Sequence, residues 1–368
     1  MLNEDEDLFE FAFRRMIDLD KTISMHGRSI LSAYSRVSKL PNVGIGFGGE
    51  RPLIVDGAKT FNALRQCASS DCHLLMRVRD PLKLKIFPSS CTFSLKGYRA
   101  IVKSWEKKDD SPLKKHLDFL KEVIEKVKPN YCVVNSTIDP VSRLLALASK
   151  RAGVRTVCVQ HGLYSFSTPA HILEEDIADV YFAIDPKQKD ILCRNIPRSK
   201  IVSMAIPSEF HWGGSTSASV CFVGTDIERY GMEEKKDRIV SSYKKIAEYL
   251  QKEQSCKVFY KPHPSESISH SIKNSFNLIS SVDDVNIDFF VGFNSTLLQD
   301  MSSAGKPSVQ IFDKNIAGTN YEEFGYCKTF LNECGVEKRL AECIQYGGTF
   351  PNVVGPDLYS FFRTHKIL

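Results

Sequence analysis

Short β-branched runs alternate with amphipathic segments twice along this chain, and no other feature constrains the fold as strongly. In the first half "PLIVD" precedes "GAKTFNALRQC", "NYCVVN" precedes "DPVSRLLALASKRAG", "VRTVCVQ" follows, and "VYFAI" precedes "DPKQKDILCRN". Strand, helix, strand in this rhythm predicts parallel pairing with crossover helices. After "KIVSMAIPS" the pattern breaks at "EFHWGGSTSAS", where two glycines and a run of Ser and Thr mark a boundary. It restarts with "SVCFVG", a long helical stretch around "DRIVSSYKKIAEYLQKE", "KVFYK", a helix near "SESISHSIKNSF", "IDFFVGF", "STLLQDMSSAG" and "PSVQIF". The fold class is therefore α/β: two doubly wound, Rossmann-like domains, 1–208 and 209–368, expected to face each other across a cleft. Residues 5–35 read as helical, and the final "DLYSFFRTHKIL" either packs back on the first domain or touches a membrane.

The rest of the composition removes function classes. At 368 residues, with 42% hydrophobic and 25% charged residues, the chain has the make-up of a globular protein of two ordinary domains. A net charge of +5, with lysines interleaved among acids, gives no stripe for nucleic acid. "KSWEKKDDSPLKKH" reads as a solvated loop and helix start, with a membrane-surface patch as the alternative. No apolar run is long enough to span a bilayer and the N-terminus is acidic, so a cytoplasmic protein is expected. The eleven cysteines sit in apolar contexts suited to buried thiols. Cys67, Cys72 and His73 lack a second half-site for zinc, and no metal is expected. "GIGFGG", Gly44–Gly49, is followed by Pro52 and a fresh strand where a dinucleotide-binding helix would run, so NAD is not implied.

The chemistry gathers at strand ends. Lys261 and His263 follow "VFY", and Pro262 and Pro264 stiffen the backbone around the imidazole. An ammonium beside an imidazole suits a phosphate or diphosphate; the plain alternative is an exposed turn. The strand at Phe289 ends in Gly292, read as clearance for a ligand, and Asn294, Ser295 and Thr296 open the next helix. Hydroxyls and free amides there form an anion site, although a simple N-cap would use the same serine. Gly224 and Thr225 end a third strand of the same domain. In the first half His161 follows "VRTVCVQ" and is a candidate general base, with a core histidine as the alternative; Asp139, Glu174 and Glu175 stand in reserve. The triplet Asn-Ser-Thr occurs after a strand in both halves, at 135–137 and 294–296.

At "QHG" (Gln160–Gly162), "KPHP" (Lys261–Pro264) and "NST" (Asn294–Thr296) the chain resembles bacterial surface-polysaccharide glycosyltransferases of the GT-B fold. That group includes capsule and lipopolysaccharide sialyltransferases, Kdo transferases and CDP-glycerol glycerophosphotransferases. The resemblance implies that His263, Ser295 and Thr296 hold the phosphate of a cytidine nucleotide donor and that His161 lines the active centre. It implies a CMP-linked nucleotide sugar as substrate, no further cofactor, a glycan or glycolipid acceptor, and leaves peripheral contact with the inner membrane open. The acidic pair followed by glycine that supplies the base in bacterial sialyltransferases is absent; "VDG", Val55–Gly57, comes nearest. Sialic acid, related nonulosonic acids and Kdo therefore stand as alternative sugars. A nonhydrolysing sugar-nucleotide epimerase and a noncatalytic polysaccharide-assembly factor are the rival readings.

Overall fold

Seven parallel strands form the first sheet, in the order β3-β2-β1-β4-β5-β6-β7. They are β1 (Leu53–Asp56), β2 (Cys72–Met76), β3 (Ser90–Phe93), β4 (Tyr131–Val134), β5 (Arg155–Val159), β6 (Val180–Ala183) and β7 (Ile201–Ser203). The computed structural model describes residues 8–13, 51–57, 60–61, 64, 72–76, 90–93, 95–160, 163–166, 168–170, 173–225, 233–263, 266, 268–316, 319–355 and 358–365. The strands read as continuous apolar runs because helices cover a parallel sheet on both faces; every residue of β1 is buried. The helix Ser111–Val127 buries Leu113, Leu117, Leu120 and Ile124, the spacing of one helical face. It starts on Pro112 in its first turn and stops where Lys128 turns left-handed at φ 51.

Two compact units result. The first takes in the chain up to Met204 and again from Pro356; the second is Ala205–Gly355. The closing helix Leu358–Thr364 belongs to the first unit, with Phe361 and Phe362 packed edge-on against Phe182 at 4.7 and 5.3 Å between ring centres. Burying two such rings stabilises this return by about 2 kcal/mol each. Of the N-terminal helical reading, 8–13 is described and is helical; the remainder, with "GIGFGG", lies outside the described residues.

The second unit holds a six-stranded parallel sheet in the order β11-β10-β9-β12-β13-β14 and an antiparallel ribbon of β8 and β15. Its strands are β8 (Ile206–Trp212), β9 (Ser219–Val223), β10 (Lys257–Lys261), β11 (Asn277–Leu278), β12 (Phe289–Gly292), β13 (Ser308–Phe312), β14 (Lys328–Leu331) and β15 (Gly348–Val354). The boundary expected between 208 and 209 falls inside β8 and moves to Met204/Ala205. The "WGG" stretch is likewise no slack linker. A Cβ on Gly214 would collide with the Gln345 carbonyl and one on Gly347 with the Trp212 carbonyl, so glycine is required where the ribbon crosses the end of helix Val336–Tyr346. Phe350 of β15 is fully buried, and Trp212 of β8 lies 5.2 Å from the ring of Phe289.

Candidate functional site

In the second unit β9 lies between β10 and β12, and the register aligns their ends. Val223 pairs with Lys261 on one side and with Gly292 on the other. The loops leaving β9, β10 and β12 therefore start side by side. Strand order also reverses between β9 and β12, since the chain runs outward through β10 and β11 one way and through β13 and β14 the other. An open α/β sheet presents its ligand crevice at such a reversal, beyond the carboxyl ends. The three segments singled out by sequence thus start side by side at this reversal.

Buried Tyr243, on the helix Glu233–Gln254, ties these ends together. Its hydroxyl donates to the Val223 carbonyl at 2.8 Å and accepts from the Phe293 amide at 3.1 Å. Burial, and then the nearby Glu266 charge, push its acidity well below that of a free phenol, so the proton stays on. Fully buried Gln310 of β13 takes the other end of the same residue, donating to the Phe293 carbonyl at 2.8 Å and to Thr319 at 2.9 Å. The turn from β12 into the next helix is fixed on both sides.

On that turn Asn294 is exposed and accepts from the Tyr321 hydroxyl at 3.0 Å. Ser295 caps the helix Thr296–Ser303, accepting from the Leu297 amide at 3.3 Å; Ser295 and Thr296 are half-buried. Gly292 lies close against the protein itself. A Cβ there would lie 3.0 Å from Leu298 Cδ1, so the missing side chain makes room for the following helix. At Gly224 a Cβ would fall on the Glu266 carboxylate and 2.7 Å from the His263 amide nitrogen. Thr225 beside it is buried.

Lys261 and His263 are half-buried at the end of β10, and Lys261 Nζ donates to the Pro262 carbonyl at 3.1 Å. Glu266 closes the turn: its amide donates to the His263 carbonyl at 2.9 Å, and its carboxylate accepts from the His263 amide at 3.0 Å and from Tyr260 Oη at 2.6 Å. Pro264 lies outside the described residues. Glu266, Tyr243, Gln310 and Tyr321 were not singled out from sequence. The available signals were a glutamate three residues after His263, the spacing of a turn, and a glutamine inside the apolar run "SVQIF".

The first unit ends its strands differently. Glu174 is 1% exposed and accepts from the Thr137 amide at 2.5 Å, Thr137 Oγ1 at 2.6 Å, Tyr164 Oη at 2.9 Å and Ser136 Oγ at 3.4 Å. With its oxygens so engaged, this carboxylate is a structural hub, not an open proton acceptor. Glu175 pairs at 2.9 Å with the buried guanidinium of Arg143, which also donates to the carbonyls of Phe11 and Thr137 at 2.7 and 3.0 Å. Half-buried Asp139 precedes the helix Pro140–Arg151; Ser142 Oγ lies 3.1 Å from its carboxylate and 2.6 Å from that of buried Asp56 at the end of β1. His161 and Gly162 lie outside the described residues. Their neighbour Gln160 donates to Gln188 Oε1 at 2.5 Å and accepts from the Ile184 amide at 3.1 Å.

Of the zinc candidates, Cys67 is outside the described residues, and His73 is fully buried and bonded to Thr92 Oγ1 at 2.8 Å. Among the described residues no three His, Cys, Asp or Glu side chains group to hold a metal, and no helix is long and apolar enough to cross a membrane.

No protein-family model matches the sequence, and no curated protein matches it. Solved structures do. MnaA from S. aureus, determined with UDP, is 14% identical over 80% of this chain and 88% of its own, with a TM-score of 0.50. The wall teichoic acid polymerase TagF is 12% identical over 90% of this chain and 88% of its own, at 0.46. The lipopolysaccharide outer core galactosyltransferase WaaB, in its apo form, is 13% identical over 79% and 90%, at 0.43. At such identity the likeness to MnaA speaks for the fold alone: two Rossmann-like units in one chain, the GT-B class.

Proposed function

We propose that the protein is a glycosyltransferase that moves a sugar from a nucleotide-activated donor to a hydroxyl of a surface glycan or glycolipid. The observation that carries this reading is the register that sets Lys261, Val223 and Gly292 at one level, beside the reversal of strand order. Lys261, His263 and the helix N-terminus at Ser295 then surround the donor phosphate and stabilise the negative charge that grows on it as the glycosidic bond breaks. These fixed groups supply the charge in this scheme, which runs without a metal ion, so a chelator is expected to leave transfer unchanged. On the first unit His161 or Asp139 accepts the proton of the attacking hydroxyl; the hydrogen bonds of Glu174 argue against that residue. The donors to try first, on the sequence resemblance, are CMP-linked nonulosonic acids and Kdo, handled on the cytoplasmic face of the inner membrane.

Parallel calorimetric titration with CMP, CDP, UDP and GDP tests the reading. One nucleotide is expected to bind, and His263→Ala to weaken it and lower transfer about 100-fold. Full transfer by that variant overturns the reading. The fold shared with the Listeria monocytogenes protein assigned as a UDP-N-acetylglucosamine 2-epimerase, at a TM-score of 0.50 and 12% identity, supports a second one, a sugar-nucleotide epimerase. An epimerised free nucleotide sugar with no glycan product would select it.

A further inference from the structure

Glu266 has no part in the scheme above, yet it lies within it. A carboxylate beside a phosphate site is an electrostatic cost unless it performs a task that a neutral side chain cannot. The task is visible in its contacts. One oxygen takes Tyr260 Oη at 2.6 Å and the other takes the His263 amide at 3.0 Å, two donors on two separate oxygens, which the single oxygen of a glutamine cannot match. With the Glu266 amide returned to the His263 carbonyl at 2.9 Å, residues 263 and 266 are joined by two hydrogen bonds in opposite senses. The Gly224 amide donates to the Lys261 carbonyl at 2.8 Å, which brings the end of β9 under this turn.

We propose that Glu266 is the positioning residue of the phosphate site: it locks the turn that carries His263 over the end of β9, and position 224 is glycine because this carboxylate fills the space a side chain would take. The inference rests on the donor-site reading and deepens it. In that reading Lys261 and His263 bind the donor, and Glu266 acts through His263 without touching the donor. The two halves of the assignment are linked, since a methyl on residue 224 and the carboxylate of residue 266 compete for one volume.

Two readouts separate this assignment from the reading beneath it. The first is hydrogen exchange at the His263 amide in the ligand-free protein. The second is calorimetric affinity for CMP, CDP, UDP and GDP, with thermal unfolding followed in parallel. In Glu266→Ala the His263 amide is expected to exchange at least about tenfold faster, and affinity for the preferred nucleotide to fall about tenfold. Glu266→Gln, keeping one acceptor, recovers part of both losses. Gly224→Ala gives the same pair of effects, and the double variant is no worse than the stronger single, as expected of two changes acting through one contact. Unchanged exchange at His263 in Glu266→Ala overturns the assignment with the donor-site reading intact; so does faster exchange with affinity unaltered. A wild-type protein that binds none of the four nucleotides overturns the donor-site reading itself.

Discussion

The same tripeptide, Asn-Ser-Thr, follows the fourth strand of each main sheet and meets opposite fates. At 135–137 the serine and threonine are buried, 7% and 0% exposed, and their hydroxyls and an amide converge on Glu174. At 294–296 no carboxylate among the described residues takes the same place. Ser295 caps its own helix and Thr296 stays half-buried at the strand-order reversal. Two sheets share the order 3-2-1-4-5-6 through their first six strands, so topology alone does not decide which end receives a ligand. The decision lies in whether the protein's own side chains have already filled the anion-binding groups.

The comparison breaks most visibly at Glu174. Replacing it with alanine strands the Thr137 amide and the Thr137 and Tyr164 hydroxyls in the core, at a cost on the order of 3–5 kcal/mol. Chemical denaturation measures it; a loss below about 1 kcal/mol would place these donors in water. Acid should act on the same unit. Burial, reinforced by Arg51, lowers His73 to about 4. Between there and the unfolded value near 6.5 the unfolded chain binds the extra proton. Stability is complete above about pH 6.5 and falls toward pH 4, by roughly 2–3 kcal/mol. His73→Gln, which keeps a partner for Thr92, is expected to flatten that limb in urea titrations run across the range. The smallest effect belongs to the open end of the second unit. Ser295→Ala removes one N-cap, about 1 kcal/mol of stability, and under the donor-site reading it also weakens nucleotide binding. Titration of that variant beside Ser136→Ala separates the two triplets, because the second change is expected to leave nucleotide affinity alone.

Much of this was legible in the sequence, for a definite reason. Parallel strands buried on both faces leave apolar runs such as "CVVN" and "FFVG", and the amphipathic helices between them fix the crossover, so the two α/β units could be read directly. The strand-end position of Lys261, His263 and Ser295 followed from the same local pattern. What failed depended on partners distant in the chain. Glu174 lies 37 residues beyond Thr137, and nothing near either residue announces the contact. Gly213 and Gly214 read as a boundary between domains because the crossing that demands Gly214 joins it to Gln345 and Gly347, more than a hundred residues away. The strand β8 was hidden by Pro207 and by those glycines; its place is fixed by pairing with β15, as in Phe210 with Phe350. Gly292 reads as clearance for a ligand and Gly224 as a strand end, and no signal in the sequence shows that Leu298 and Glu266 of the protein itself lie against them.

The most direct test is a crystal structure of the protein with its preferred nucleotide bound. The account places the phosphate at the ends of β9, β10 and β12, within hydrogen-bonding reach of Lys261 and His263 and of the Ser295 and Thr296 hydroxyls. A nucleotide whose phosphate rests instead at the end of β4, beside residues 135–137, or one that leaves Lys261 and His263 uncontacted, would contradict it.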